Sequence, residues 1–410
     1  MNLLIKNQMK GLIIYPNYTY SNPNQKQFER LLSGLVDQCD IHILSRKGPR
    51  LPKFPEESSV FEIPKESLFR VRFQHALQKF CPQLAYCPDE LRLVINSSLK
   101  KTGINLVKKE KYDFIATLSF PLSAQLVGYY LSKKFRIPWI AIFYDPWTDN
   151  PYRLAAKGFM KKVDAYYEAL VAKNADAIIH SNKYIASIWE TRYGTQIKNK
   201  IHVLPFCYSK AMMGGFQQKS KHNKGSIIIS YVGNRFKQRN LQDVISSVKQ
   251  LKDSGFIELE RLKIRICGNH FEPDDMLIHD NGLSSIFEIK GFVPEDSLEE
   301  VYMDSDLFLV IDSPGSINLF YPSKLMDYFY YQKPIIGITP PNGVTADLLC
   351  ASGNVTITNG DTESIKRVIE LVCCQGPEII VNQKDFWKVF SPQKNGSEFI
   401  NIANSICRHN

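Results

Sequence analysis

No stretch of this 410-residue chain approaches the ~18 consecutive apolar residues that carry a helix across a bilayer. The opening residues, MNLLIKNQMKG, are too short and too polar for a signal peptide. The chain is therefore expected to stay in the cytoplasm, or to lie on the inner face of a membrane without crossing it. Nine cysteines are present, but no two form a C-x-x-C pair, which excludes the common zinc ribbon and dithiol redox motifs. Their odd number and scattered spacing fit a reducing compartment, and Cys267, inside the apolar run Leu262–Cys267, reads as a small packed hydrophobe. G-x-S-x-G and H-E-x-x-H are absent, so hydrolase and zinc-protease readings have nothing to rest on. There is no full G-x-G-x-x-G and no short-period repeat.

What is present is an ordinary globular composition, 44% hydrophobic and 22% charged. The length suits two domains of about 200 residues each. The formal net charge of +10 fits an anionic partner, whether nucleic acid, acidic lipid or a phosphorylated substrate; a basic surface that serves only solubility fits as well. Nucleic acid is not expected as a partner, because the cations are interleaved with apolar α/β segments and gathered in no recognisable motif.

Apolar patterning predicts alternating strands and helices. Leu12–Tyr15 and Ile41–Leu44 read as strands around a helix at Gln27–Leu35, in which Phe28, Leu31, Leu32 and Leu35 recur at helical spacing. Residues 45–110 are less regular. Within them Phe69–Phe80 (FRVRFQHALQKF) reads as a basic, aromatic amphipathic helix, either packing its Phe face inward or lying on anionic lipid or an acceptor. The rhythm resumes with strands at Asp113–Leu118, Pro138–Phe143, Ala177–His180 and His202–Leu204, and helices at Ser123–Phe135, Phe159–Asn174 and Ile185–Tyr193. It starts again at Ile227–Val232, continues through Leu241–Ser254, Leu262–Cys267, Ile286–Ile289 and Leu307–Ile311, and reaches Pro334–Gly337. The fold class is α/β with two Rossmann-like domains. The expected boundaries are an N-terminal domain at 1–208, a basic, glycine-bearing linker at 209–225 and a C-terminal domain at 226–384. A final helix at 385–410 would carry Phe386, Trp387 and Phe390 on one face.

In open parallel sheets ligands bind beyond the carboxyl ends of the strands. After the strand Ile227–Val232 comes Gly233-Asn234-Arg235-Phe236-Lys237-Gln238-Arg239-Asn240. Gly233 permits a tight turn and close approach of a ligand, and three cations in five residues stand just before a helix whose free amides add positive potential. Such a loop suits a diphosphate; an ordinary turn with solvated charges is the plainer reading. In the segment Tyr321–Gly337 (YPSKLMDYFYYQKPIIG), Pro322 and Ser323 start a helix with serine as a cap. Lys324 and Asp327 share one face of it. The acid can accept from two ribose hydroxyls and the lysine can neutralise a phosphate, or the two form a surface ion pair. Asp304-Ser-Asp306 precedes the strand Leu307–Ile311 at its amino end and reads as structural, so no metal is expected. His180 stands at the carboxyl end of a strand, where a catalytic role is conceivable but a satisfied structural histidine is commoner. His42 reads as a buried strand residue.

The YVG loop with its Arg and Lys, followed ~90 residues later by P-S-K-L-x-D-Y-x-x-x-x-K-P-I-I, resembles the retaining glycosyltransferases of family four, which have the GT-B fold. Gly291-Phe292-Val293-Pro294-Glu295-Asp296 and Tyr302–Val310 are similar to that family as well. So, in the first half, are Ser119-Phe120-Pro121, Ile137-Pro138-Trp139-Ile140 and Tyr144-Asp145-Pro146-Trp147. The resemblance spans most of the chain and is strongest from Ile227 to Leu349. It implies two Rossmann-like domains facing each other across a cleft, with a final helix crossing back to the first. It implies a nucleotide diphosphate-sugar donor and a saccharide or lipid-linked acceptor in cell-surface polysaccharide assembly. Carried over by position, Arg235 and Arg239 match the basic pair on the donor diphosphate, and Lys324 lies near the phosphates or base. Asp327 takes the place of the second glutamate of an E-x7-E motif. The first would fall near Leu319, where Asn318 is the substitute. Asp145 matches the acid facing sugar and acceptor. Asp145, Arg239 and Lys324 would carry catalysis, while Gly233, Asn234, Arg235, Arg239, Asn318, Ser323, Lys324 and Asp327 would hold the donor. A non-catalytic relative that binds nucleotide or a partner, and a nucleotide-sugar epimerase of the same architecture, are the rival readings.

Overall fold

A computed structural model describes residues 8–20, 22–49, 60–64, 76, 96–151, 158–209, 225–294 and 297–408. Apart from residues 209, 225 and 76, the linker expected at 209–225 and the basic helix expected at Phe69–Phe80 lie outside these described residues. The chain divides into two compact units, Met1–Lys210 with Phe390–Asn410, and Ala211–Val389.

The first unit alternates β1 (Met9–Ile14), α1 (Pro23–Leu35), β2 (Cys39–Arg46), β3 (Val60–Ile63), α2 (Asn96–Lys109), β4 (Phe114–Ser119) and α3 (Ser123–Phe135). It continues through β5 (Trp139–Phe143), α4 (Phe159–Asn174), β6 (Ala177–His180), α5 (Lys183–Tyr193) and β7 (Ile201–Val203). The strands are parallel and run in the order β3-β2-β1-β4-β5-β6-β7. The central strands are apolar on both faces because both faces are covered: Leu12, Ile14, Ile115, Trp139 and Phe143 are buried on one, and Ile13, Ala116, Ile140 and Ile142 on the other. At the start of α1 the Asn22 carboxamide oxygen accepts from Gln25 N at 2.9 Å, and Pro23 fills the first turn, where a missing N–H costs nothing.

The helix expected from residue 385 onward begins later. Phe386–Phe390 form a 3₁₀ turn, and α-helix resumes at Pro392–Cys407, because Pro392 has no N–H and can only open a helix. This last helix packs on α1 backbone to backbone. A Cβ on Gly34 would stand 1.9 Å from the Pro392 carbonyl oxygen, and one on Gly396 would stand 2.3 Å from that of Gly34. Phe386 and Trp387 instead pack edge-on against Phe329 and Tyr330 of the second unit.

The second unit runs β8 (Ile227–Val232), α6 (Gln242–Asp253), β9 (Leu262–Cys267), α7 (Glu272–Asp280), β10 (Phe287–Gly291), α8 (Leu298–Asp304) and β11 (Leu307–Ile311). Then come β12 (Ile317–Asn318), α9 (Ser323–Tyr330), β13 (Ile335–Thr339), β14 (Asn342–Gly343), α10 (Val344–Ala351), β15 (Val355–Thr358) and α11 (Thr362–Gln375). Its main sheet is again parallel, ordered β10-β9-β8-β11-β13-β15. In both units the winding reverses beside the first strand, between β1 and β4 and between β8 and β11. Those reversal points are where an open α/β sheet takes its ligand.

Candidate active site

In the second unit one tyrosine fixes the reversal point. Tyr328, on α9, accepts from Val232 N at 3.0 Å and donates to the Leu309 carbonyl at 3.4 Å, bridging the ends of β8 and β11. Its ring stacks on Phe308 at 4.3 Å. The helix carrying Ser323, Lys324 and Asp327 is thereby pinned over the gap. Pro322 takes the cap position with no side-chain cap, and Ser323 is already helical, so the expected serine cap is not the one that starts α9. Lys324 is half-buried, and its charge is felt by the Cys267 thiol at the end of β9. Asp327 is buried.

The loop after β8 is tied to the end of β9, with Gly233 N donating to the Cys267 carbonyl at 2.8 Å. The close approach expected at Gly233 falls on its neighbour across the sheet. A Cβ on Gly268 would stand 1.9 Å from the Gly233 carbonyl oxygen, whereas one on Gly233 would meet only the Tyr231 ring at ordinary distance, 3.5 Å or more. Asn234 is exposed, and its side-chain oxygen accepts from Asn269 N at 3.3 Å.

The two arginines of this loop, expected as a pair on a diphosphate, differ in their surroundings. Arg235 is 1% exposed. Its Nη1 donates to Asp275 at 2.8 Å and reaches Asp274 at 3.5 Å, and its Nη2 donates to the Asn269 carbonyl at 3.1 Å. Its guanidinium is thus spent on the fold and holds the loop against α7. Arg239 instead sits on a tight turn, in which Phe236 N donates to the Arg239 carbonyl at 2.9 Å and Arg239 N returns the bond at 2.8 Å. Its guanidinium lies 5.4 Å from the Phe236 ring centre, and its side chain is 29% exposed. Two of the amides expected to be free at the start of α6 are taken: Asp274 Oδ2 accepts from Leu241 N at 3.0 Å and Asn240 Oδ1 from Gln242 N at 3.1 Å. Burial raises the pKa of Asp274, while the Leu241 amide and Arg235 pull it back down.

At the end of β11 stands an acid that sequence reasoning passed over. Asp312 is buried, and its Oδ2 accepts from Asn318 Nδ2 at 2.6 Å and from Thr339 Oγ1 at 3.0 Å. Its Oδ1 lies 3.9 Å from Arg239 Nη2. Burial raises its pKa, and the Arg239 charge opposes that rise. The short pairing of β12 with β14 brings Asn318 beside Thr345, to which Nδ2 also donates at 3.2 Å. Asn318 accepts in turn from Phe320 N at 3.0 Å. Its amide, expected as a substitute for a donor-binding glutamate, is spent on holding Asp312 and its own loop. Asp312 was legible by one signal: it is the first residue beyond an apolar strand, at the end where ligands bind.

In the first unit Asp145 lies two residues beyond β5 and is partly exposed. Its Oδ2 accepts from the side chain of Asn24, in the first turn of α1, at 2.9 Å. Burial raises its pKa and the Asn24 hydrogen bond lowers it again. The loop that carries it is braced from behind. The wholly buried Glu168 accepts from Thr148 N at 2.9 Å, Arg192 Nη1 at 2.5 Å and Tyr193 Oη at 2.7 Å, and Trp147 Nε1 donates to Asp164 at 3.2 Å. Nothing in the sequence marked Glu168 or Arg192.

His180 is a core residue. It is wholly buried and packs edge-on against Trp189 at 4.8 Å, and neither ring nitrogen has a hydrogen-bond partner among the described residues. Burial pushes its pKa down to about 3. His42 is buried too, and its Nδ1 meets the Tyr112 hydroxyl at 2.7 Å. The Asp304-Ser-Asp306 pair is engaged at the amino end of β11: Asp304 pairs with Arg265 at 2.8 Å, and Asp306 accepts from Ile228 N at 2.8 Å. The seven described cysteines are free thiols. No described helix is long and apolar enough to cross a membrane.

Two parallel, doubly wound sheets of this kind are the architecture of the GT-B fold. Solved structures agree on the fold. The Anabaena protein Alr3699/HepE in complex with UDP is 13% identical with a TM-score of 0.62, over 98% of this chain and 99% of that one. Sucrose-phosphate synthase of Thermosynechococcus elongatus is 11% identical with a TM-score of 0.63, over 98% of each chain. The lipopolysaccharide outer core galactosyltransferase WaaB, in its apo form, is 12% identical with a TM-score of 0.62, over 97% of this chain and 99% of that one. No curated protein matches the sequence. Residues 215–377 match the model of glycosyl transferases group 1, so the chain carries a group 1 glycosyltransferase domain.

Proposed function

We propose that this glycosyltransferase moves a sugar from a nucleoside diphosphate-sugar to a saccharide or lipid-linked acceptor, with retention of anomeric configuration, in the assembly of cell-surface polysaccharide. The observation that carries the reading is Arg239, a half-exposed cation at the carboxyl ends of the two central strands inside the group 1 domain. Arg239 and Lys324 take the diphosphate, Asp327 serves the ribose, and Ser323, Gly233 and Asn234 serve the phosphate path. Charge that develops on the departing diphosphate meets a fixed guanidinium, which stabilises the transition state more than the ground state. No metal is required on this reading, because Arg and Lys supply the positive charge. Asp145, with its raised pKa, serves the acceptor side in the first unit. Two similar folds support the donor and acceptor classes: Alr3699/HepE was solved with UDP and with UDP-glucose, and WaaB is described as a lipopolysaccharide outer core galactosyltransferase. The basic balance of the chain suits work on the anionic inner face of a membrane.

The test is a thermal-shift titration with UDP, GDP, CDP, ADP and dTDP. At about 100 times its dissociation constant the correct diphosphate adds about 2.7 kcal/mol of stability. One diphosphate is expected to raise the melting midpoint. Its sugar esters should then support transfer to a saccharide acceptor that Asp145→Asn abolishes. If all five leave the midpoint unmoved, the reading is wrong.

A further inference from the structure

Asp312 has one carboxylate oxygen that the fold uses and one that it does not. Oδ2 accepts from Asn318 and Thr339, at 2.6 and 3.0 Å. Oδ1 is buried and has no hydrogen-bond partner among the described residues. The charged group facing it is Arg239 Nη2 at 3.9 Å, beyond hydrogen-bond distance but within ion-pair reach, and the Thr345 side chain also lies close enough to favour the charged carboxylate. Arg239 Nε is buried and also without a hydrogen-bond partner among the described residues. Two incompletely satisfied groups of opposite charge thus face each other at the reversal point of the second sheet, and unpaired buried polar atoms of this kind call for an explanation.

We propose that Asp312 is the positioning residue for Arg239: fixed from behind by Asn318 and Thr339, its carboxylate holds the guanidinium at the carboxyl ends of β8 and β11, ready for phosphate. This rests on the reading of Arg239 as a diphosphate ligand. A long arginine loses rotamer freedom when it grips a ligand, and a fixed carboxylate behind it takes that loss in advance. The same carboxylate also repels an incoming anion, so the sign of its effect decides whether it helps or hinders.

The test is a double-mutant cycle in the full chain. Wild type, Asp312→Asn, Arg239→Ala and the double variant are titrated with UDP, GDP, CDP, ADP and dTDP. Asp312→Asn should weaken the diphosphate that binds wild type by about tenfold, and should have no further effect once Arg239 is gone. The pH profile gives a readout that a purely structural role would not move. Wild-type affinity should fall on acidification as Asp312 gains a proton and lets Arg239 go, and that step should be missing in Asp312→Asn. Tyr231, which also faces Asp312, does not titrate in the same range, because burial pushes it up to about 12. Unchanged or tighter binding by Asp312→Asn at a wild-type melting midpoint would overturn the proposal, and so would equal losses in both backgrounds. If Asp312→Asn does not fold, Thr339→Val removes one anchor of Oδ2 and should weaken binding about threefold, again only with Arg239 present. A diphosphate panel that fails on wild type, or one that Arg239→Ala binds as well as wild type, removes the functional reading itself and this inference with it.

Discussion

Arg235 and Arg239 stand on one loop and point to different ends. Arg235 is sealed against α7 by two carboxylates and a carbonyl. Arg239 closes a two-residue turn opposite Phe236, with that residue's ring beneath its guanidinium and a buried acid at 3.9 Å. Composition made them a pair; burial and partners make one a brace and the other the cation available to a ligand. The same division recurs between the units. The reversal point of the second sheet gathers Arg239, Asp312 and the start of α9. The loop after β5 in the first unit presents one acid, Asp145, with Glu168 and Arg192 anchoring it from behind.

Four predictions press on this contrast, in descending order of effect. Arg235→Ala leaves Asp274 buried without its cation and should cost about 3–5 kcal/mol of stability, measured by denaturant unfolding. Glu168→Ala strips the brace behind Asp145 of its buried acceptor and should cost about 2–3 kcal/mol by the same measurement. His180 is neutral and buried, so the unfolded chain binds its proton more readily than the native chain does. Its contribution is fully present above about pH 6.5. It is lost at about 1.4 kcal/mol per pH unit as pH falls toward 3, and His180→Phe should flatten that slope. Arg239→Ala should cost about 1 kcal/mol, because a part-exposed cation on a turn holds little of the fold but its loss leaves the buried Asp312 without its facing charge.

The alternation of strands and helices, the two halves and the strand ends that carry the candidate site were legible because apolar period and strand-end position are local properties. Val355–Thr358 and Val60–Ile63 are too short and mixed to stand out, and α2 lies in a stretch that reads as irregular. The break at Ser391-Pro392 was visible as a proline, yet Phe386 and Trp387 drew the helix too early. The site was half legible. Arg239, Lys324 and Asp327 are gathered on the elements that flank the reversal point. Arg235 and Asn318 turned inward because their partners, Asp274, Asp275 and Asp312, come from other elements that spacing cannot relate. Glu168 needed tertiary contacts to be seen at all, and Asp312 was marked only by its place just beyond an apolar strand.

The most direct measurement is the rise in melting midpoint caused by the nucleoside diphosphate that binds wild type, taken side by side in Arg235→Ala and Arg239→Ala. The account predicts that Arg235→Ala starts low and still rises with ligand, while Arg239→Ala starts nearer the wild-type midpoint and does not move. A ligand-induced rise in Arg239→Ala equal to that of wild type would contradict it.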